Sequence, residues 1–150
     1  MSLEDALKFL SRPEKISDGP GSITKQLLID RAPLVLVVQL KRFVFDPSAG
    51  QTVKIHKHIA FPERLELAGE DRTAGLGVYR LYGVVYHLGR SASGGHYTCH
   101  VRRSLRNDDF WYRFDDESST KDPEAVVFAP PKSGTAYLLF YVRHKRSSNM

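Results

Sequence analysis

The chain has 150 residues, the length of one domain, with a hydrophobic content of 41% and a formal net charge of +5. That composition allows a hydrophobic core, and no stretch approaches the roughly 20 apolar residues that a membrane span needs. The N-terminal residues carry the acidic pair Glu4-Asp5 and lack the apolar segment of a secretory signal. Positive charge is spread along the chain and is not interleaved with aromatic residues. We therefore expect neither a membrane nor a nucleic acid as partner.

Cys99 is the one cysteine in the sequence. A single cysteine excludes an intramolecular disulfide framework and an all-cysteine zinc site, and it is typical of a reducing compartment. We expect an intracellular protein of the cytoplasm or nucleus, with no structural zinc and no cofactor.

The first predicted element is a short amphipathic helix. Leu3, Leu7 and Leu10 recur at helical spacing, Ser2 is suited to cap the N-terminus, and Pro13 ends the run. Residues 19–22, with the sequence Gly-Pro-Gly-Ser, are typical of a flexible turn or an engineered linker. Residues 144–150 are expected to form a flexible tail.

The rest of the chain is dominated by strand patterns separated by turn-forming residues. The apolar run 34–38 has no polar face, which predicts a central strand, and residues 122–124 are suited to begin a short helix. The fold class expected is α+β, a mostly antiparallel sheet with short marginal helices. The predicted strands are 24–29, 34–40, 53–59, 78–88, 97–102, 110–114 and 135–142.

His96 and Asp115 are the residues best placed for chemistry. His96 follows Gly94-Gly95 and opens a strand, while Asp115 ends the next one. A hairpin centred between Leu105 and Arg106 would set the two residues opposite each other, with Cβ atoms about 4.5–5.5 Å apart. An imidazole facing a carboxylate is the base and orienting pair of a nucleophilic triad. A surface ion pair has the same pattern, so these residues alone leave both interpretations open.

Two other arrangements are disfavoured. His87, His96 and His100 could approach one another on neighbouring strands, but they lack the regular ligand spacing of a metal site. His56 and His58 are interpreted as solvent-facing.

Cys99 is three residues beyond His96 on the same predicted strand. That offset places it on the opposite face and about 10 Å away, so we expect a small buried thiol with a normal or raised pKa.

Longer motifs make the family specific, because in sequence and order they resemble the catalytic domain of the ubiquitin-specific proteases. The resemblance covers nearly the whole chain. The matching segments are 2–7, the proline, apolar-strand and Leu-Lys-Arg-Phe segment 31–43, the histidine box 79–97, and the closing motifs 111–116 and 136–141.

The resemblance implies that residues 1–150 are the C-terminal part of such a domain, the palm-like half of a papain-like cysteine protease. The implied reaction is thiol-dependent hydrolysis of the bond after the C-terminal glycine of ubiquitin, with ubiquitin or ubiquitinated proteins as partners. His96 would be the general base and Asp115 its orienting residue. Asp116 would be a further acceptor beside them.

The resemblance also assigns a channel for the ubiquitin tail. Gly94, Gly95 and Tyr97 would line it, and the loops at 44–53 and 89–95 would gate it.

Two family features are missing from the sequence: the cysteine box with its nucleophile, and the finger region, which would lie between Lys15 and Thr24. The chain is then either a piece of a longer protease or a truncated relative that a cysteine-box polypeptide completes. In both cases the isolated chain is expected to be inactive. The alternative function is a non-catalytic ubiquitin-binding module.

Overall fold

The computed structural model describes residues 1–17, 21–67, 77–91, 93–105, 108–129 and 131–144. Residues 19–20 of the predicted linker and residues 145–150 of the predicted tail lie outside these ranges. The helices are α1 (Leu3–Leu10) and α2 (Glu124–Phe128). The strands are β1 (Glu14–Lys15), β2 (Thr24–Lys25), β3 (Val35–Gln39), β4 (Phe43–Asp46), β5 (Gln51–Lys54), β6 (Arg64–Leu67), β7 (Gly77–Leu88), β8 (His96–Leu105), β9 (Asp108–Asp115), β10 (Ser118–Asp122) and β11 (Gly134–His144).

Helix α1 forms where the sequence predicts it. The Ser2 hydroxyl accepts a hydrogen bond from the Asp5 amide at 3.1 Å, and the Asp5 carboxylate accepts one from the Ser2 amide at 3.0 Å. This reciprocal capping satisfies two amide groups at the start of the helix. Leu3 is buried, whereas Leu10 at the other end is exposed. In the described ranges, neither helix is long and apolar enough to cross a membrane.

One seven-stranded antiparallel sheet dominates the molecule: six strands follow the order β10-β9-β8-β7-β11-β3, and the seventh, β6, pairs with β7 outside that order. Strand β7 lies at its centre. Strand β11 pairs along the whole of β7 on one side, while β8 and β6 share the other side. Two small antiparallel pairs, β1 with β2 and β4 with β5, lie outside this sheet. The expected antiparallel sheet with short marginal helices is confirmed.

The core lies against one face of the central strands, and three tyrosines anchor other parts of the chain to it. Tyr79, Tyr86 and Tyr141 are almost fully buried, yet each hydroxyl donates to a backbone carbonyl. The acceptors are the carbonyls of Pro33 at 2.6 Å, Val127 at 2.6 Å and Pro62 at 2.7 Å, respectively. Each tyrosine therefore packs its ring in the core, and its hydroxyl holds helix α2 in the case of Tyr86 and a connecting segment in the other two cases. The buried aliphatic and other aromatic members of the core are Leu3, Leu40, Ile59, Phe61, Leu65, Leu67, Leu81, Val84, Trp111, Val127, Ala136 and Leu139.

The prediction that 34–40 forms a central strand is wrong in its position. Strand β3 is an edge strand of the sheet, paired on one side with β11. Its residues alternate between exposed and half-buried, with Val35 and Val37 exposed. An apolar run predicts burial on both faces, but in the described residues packing covers only one face of β3.

Two other predicted strands are shorter than expected. The segment 24–29 is paired only at Thr24–Lys25. The segment 53–59 leaves the strand after Lys54. Beyond that point the buried Arg42 side chain, not a neighbouring strand, donates to the Lys57 carbonyl, at 2.5 Å. Residues 55–58 beyond Lys54 are exposed, His56 and His58 among them as predicted, whereas Ile59 is buried in the core.

The tyrosine anchors lead to a prediction about stability. We expect Tyr86→Phe to lower the free energy of unfolding by about 1–3 kcal/mol, because the buried Val127 carbonyl loses its donor. Urea denaturation of the chain would measure the change. Tyr82→Phe, at a less buried position of β7, is the control and should change stability less. Equal effects from the two variants would contradict the anchoring role of the Tyr86 hydroxyl.

Candidate active site

His96 is the first residue of β8, directly after Gly94 and Gly95. The strand that it opens is held on both sides, by β7 and by β9. The backbone at His96 pairs with Leu88, so the position of the imidazole is set by the central part of the sheet. A functional group on a doubly paired strand is held more rigidly than one on a loop.

His96 and Asp115 meet as the sequence predicts, but through a different register. The Nε2 atom of His96 lies 2.5 Å from the Oδ1 atom of Asp115. Strands β8 and β9 pair Cys99 with Phe114 and Leu105 with Asp108, so the predicted hairpin centre is wrong. Continued by one residue, the observed register sets Asp115 opposite Thr98. The shift is two residues, which keeps both side chains on one face and makes them diagonal neighbours.

Arg113 completes the contacts of the Asp115 carboxylate. Its Nη2 atom donates to Oδ2 of Asp115 at 2.8 Å, leaving Oδ1 to His96. The two residues are next-nearest neighbours on β9 and therefore point to the same side of the sheet. Each oxygen of Asp115 thus has its own cationic or N–H partner, which fixes the plane of the carboxylate. The sequence analysis missed this role of Arg113.

Asp116 lies in the tight turn between β9 and β10, which the pair Asp115–Ser118 closes. Its backbone has a positive φ of 50°, the left-handed conformation that aspartate tolerates better than most residues. Potential ligand atoms of His96, Asp115 and Asp116 lie within 4.8 Å of one another. The carboxylate of Asp116 therefore stands beside the His96–Asp115 pair, where the resemblance implies a further acceptor.

The charges around the pair shift both pKa values. The hydrogen bond that His96 donates to Asp115 raises the pKa of His96, and the negative charges of Asp116 and Asp115 add to this effect. The same hydrogen bond lowers the pKa of Asp115, with help from the charges of His96 and Arg113. An ionised Asp115 accepts the Nε2–H of a neutral imidazole, which leaves Nδ1 as the free acceptor. The arrangement is that of a base whose tautomer and orientation are set.

His87, His96 and His100, the disfavoured metal-site arrangement, do not come together in the described residues. His100 is buried and its Nε2 lies 3.1 Å from Oδ2 of Asp122. The ring of His87 packs against Phe43, at 5.6 Å between centroids, and against Tyr97 at 4.8 Å. Neither histidine joins His96 in a ligand cluster.

The cluster of potential ligand atoms that the described residues do form is His96, Asp115 and Asp116. That cluster contains the hydrogen-bonded pair of His96 and Asp115. The expectation of no bound metal stays a prediction.

Cys99 is half-buried in the middle of β8, between its partners Val85 on β7 and Phe114 on β9. Burial raises the pKa of the Cys99 thiol, in agreement with the prediction of a normal or raised value. A raised thiol pKa disfavours the thiolate that acts as nucleophile. Because Cys99 is an odd number of residues from His96 on one strand, its side chain is directed to the other face.

The two predicted gating loops lie next to each other. The segment 44–53 is the β4–β5 hairpin, and the segment that begins at Gly89 leads from β7 to His96. Gly94 is exposed, whereas a Cβ atom added to Gly95 would overlap the His87 ring. Tyr97 is half exposed and packs on His87 and Tyr137. Glycine is thus required at position 95 by close packing.

Lys54 and Arg42 are further buried cations near these loops that the sequence analysis left unassigned. Lys54 Nζ donates to the carbonyls of His87 and Gly89, and Arg42 Nε donates to the carbonyl of Ala136 at 2.9 Å. Burial lowers the pKa of each of these groups, and the charge of Arg42 contributes to the lowering at Lys54. No clear signal in the sequence marks this burial, since Lys54 lies on the polar side of an alternating segment and Arg42 directly follows Lys41.

Comparisons with known proteins identify the family of the chain. The family model described as ubiquitin carboxyl-terminal hydrolase matches residues 2–141. Ubiquitin carboxyl-terminal hydrolase 10 of Mus musculus is 37% identical over 157 aligned residues, which cover 95% of this chain and 19% of that protein. The probable ubiquitin carboxyl-terminal hydrolase 3 of Schizosaccharomyces pombe is 38% identical, over 95% of this chain and 31% of that protein.

Solved structures give the same answer for the fold. The SAGA Ubp8/Sgf11/Sus1/Sgf73 DUB module contains a chain with a TM-score of 0.78 and 30% identity, covering 96% of this chain and 30% of that one. The same module bound to ubiquitin aldehyde matches with a TM-score of 0.78, 28% identity and coverage of 96% and 34%. The chain spans about a fifth to a third of the length of these relatives. It belongs to the ubiquitin carboxyl-terminal hydrolase family.

Proposed function

We propose that this chain supplies the general base, its orienting carboxylate and the tail channel of a thiol-dependent deubiquitinase. The observation that carries the proposal is the 2.5 Å contact between His96 Nε2 and Asp115 Oδ1, in a chain of this family. His96 has a side chain that is 43% exposed, so a reacting group can reach it. As part of a longer protease or beside a cysteine-box polypeptide, the chain would act on ubiquitin or ubiquitinated proteins.

The chemistry follows from the free Nδ1 atom of His96. A cysteine supplied from outside the described residues would give its proton to Nδ1, forming a thiolate–imidazolium pair. Asp115 stabilises the imidazolium, and the thiolate attacks the carbonyl carbon of ubiquitin's C-terminal glycine. The imidazolium then protonates the leaving amine, and water, deprotonated by His96, hydrolyses the thioester.

Gly94, Gly95 and Tyr97 would bind the tail in front of this base. The backbone of Gly95 packs closely against the His87 ring, and the half-exposed Tyr97 ring lies beside that histidine. Asp116 would support the protonated base through its charge. The assignments of Gly94, Gly95 and Tyr97 rest on their positions next to His96 along the chain. That of Asp116 rests on its position beside the His96–Asp115 pair.

A non-catalytic ubiquitin-binding module is the alternative function. The observation that favours it is that the one thiol of this chain, Cys99, lies on the other face of β8 from His96. The two functions differ in whether addition of a cysteine-box polypeptide restores hydrolysis.

In a complete enzyme, we expect His96→Ala to abolish turnover and Asp115→Asn to lower kcat about 10²–10⁴-fold, with folding intact in both variants. The physical reason is loss of the base in the first variant and of its orientation in the second. Rates of ubiquitin-tail hydrolysis would be compared with those of His56→Ala, an exposed histidine outside the site. Near-normal turnover in His96→Ala would end the assignment of the base.

The charges around His96 predict the direction of its titration. The pKa of His96 should lie above the ordinary histidine value, because protonation is favoured by Asp115 and Asp116. Asp115→Asn should lower the pKa of His96 more than Asp116→Asn does, since the hydrogen bond that His96 donates to Asp115 is the largest cause of its raised pKa. Titration of the imidazole C–H signals by NMR measures all three values. An unchanged His96 titration in Asp115→Asn would contradict the contact.

The isolated chain is expected to form no adduct with a ubiquitin that bears a thiol-reactive C-terminal group. Cys99 has a raised pKa and faces away from His96, so it lacks both an activated sulfur and a base. Mass spectrometry would show labelling only after a cysteine-box polypeptide is added, and then on that polypeptide. Rapid labelling of Cys99 would overturn the strand-face assignment.

A further inference from the structure

Lys54 has an unusual environment at the end of β5. The residue is 7% exposed, and its Nζ atom donates to the carbonyls of His87 at 2.8 Å and Gly89 at 2.7 Å. These acceptors lie at the end of β7 and just beyond it, more than thirty positions away in the sequence. A buried ammonium group is costly unless it is well hydrogen-bonded, so this contact is a specific feature of the fold.

The backbone provides a second link between the same two segments. Val53 forms an antiparallel bridge with Ser91, so the residue next to Lys54 pairs with the segment that follows Gly89. The β4–β5 hairpin is therefore attached to this segment by both a side chain and the main chain.

The backbone at Gly89 packs closely against the backbone at Gly94 and Gly95, just before His96. Gly89 has a φ of +118°, and a Cβ atom added there would lie 3.1 Å from Gly95 Cα and 3.2 Å from the Gly94 carbonyl oxygen. Glycine permits both the conformation and the approach. Gly95 in turn abuts the His87 ring and is followed directly by His96.

We propose that Lys54 is a positioning residue that joins the β4–β5 hairpin and the described residues 89–91 and 93–96 into one unit. In this arrangement the two loops that border the proposed ubiquitin-tail channel are held in fixed positions relative to each other. The backbone that leads into His96 is held with them. The role in tail binding rests on the proposed function, whereas the coupling between the two segments does not. An ammonium group suits this task because its three donors can serve two converging carbonyls at once.

Hydrogen exchange on the chain itself tests the coupling without any activity. Lys54→Met keeps the aliphatic stem and removes the donors, leaving the carbonyls of His87 and Gly89 without this partner. We expect amide exchange to become about tenfold faster or more in peptides covering both 43–54 and 88–98, because hydrogen bonds to charged groups contribute on this scale. The matched control is Lys57→Met, an exposed lysine of the following segment, which should leave both regions unchanged.

Three results would overturn the proposal. These are unchanged exchange in Lys54→Met, faster exchange in the hairpin alone, and a uniform rise that includes β9 and β11. If Lys54→Met does not fold, Lys54→Gln, which retains an amide donor, is compared with the wild type by the same criteria. In the assembled protease, Lys54→Met should also raise KM for a ubiquitin-tail substrate more than it lowers kcat. Failure of His96→Ala to stop turnover would refute the proposed function and leave the exchange result standing.

Discussion

Antiparallel pairing of β8 with β9 decides which side chains share the face that carries His96, and the chemistry of the site depends on it. Because side chains alternate along a strand, a register shift of one residue would carry Asp115 to the opposite face. The observed register differs from the expected one by two, so Asp115 remains on the face of His96 and reaches it diagonally at 2.5 Å. An odd shift would separate the two side chains by face, whereas the observed shift of two keeps them on one face and within reach of each other.

Around that hairpin, the molecule relies repeatedly on buried side chains that donate to distant carbonyls. Tyr86 holds helix α2 and Tyr141 holds the segment at Pro62 against the core. Lys54 donates to the Gly89 carbonyl beyond β7, and Arg42 donates to the Lys57 carbonyl beyond β5. A loop carbonyl placed close to a core must find a donor, and strand pairing cannot supply one there. These long side chains solve that problem while their stems or rings fill the interior. The segments that border His96 are thus ordered by the core.

The sequence was informative where local pattern and tertiary environment agree. The capping residues Ser2 and Asp5 defined α1, and the predicted strand 78–88 corresponds to β7, although its central position in the sheet was not predicted. The sequence was less informative where a neighbouring strand determines the secondary structure. Strand β10 has a wholly polar sequence and forms only because it can pair with the edge of β9. Strand β6 did carry a signal, since Leu65 and Leu67 alternate with charged residues, but four residues are too few for a firm prediction. The contact of His96 with Asp115 was predictable from strand parity, whereas the roles of Arg113 and Lys54 depend on three-dimensional neighbours.

The division of the chemistry follows from where the charges lie. Asp115, Asp116 and Arg113, which set the protonation and orientation of His96, all come from β9 and the turn after it. The proposed base is consequently held in a set orientation by groups of this chain alone. Since Nε2 is engaged by Asp115, a nucleophile must approach the Nδ1 side of the ring. Cys99 cannot do so from the other face of the same strand, because β8 is held on both sides by β7 and β9 and cannot rotate. The thiol that the proposed reaction needs must therefore come from a different element, one that packs over the face of the sheet on which His96 and Asp115 lie.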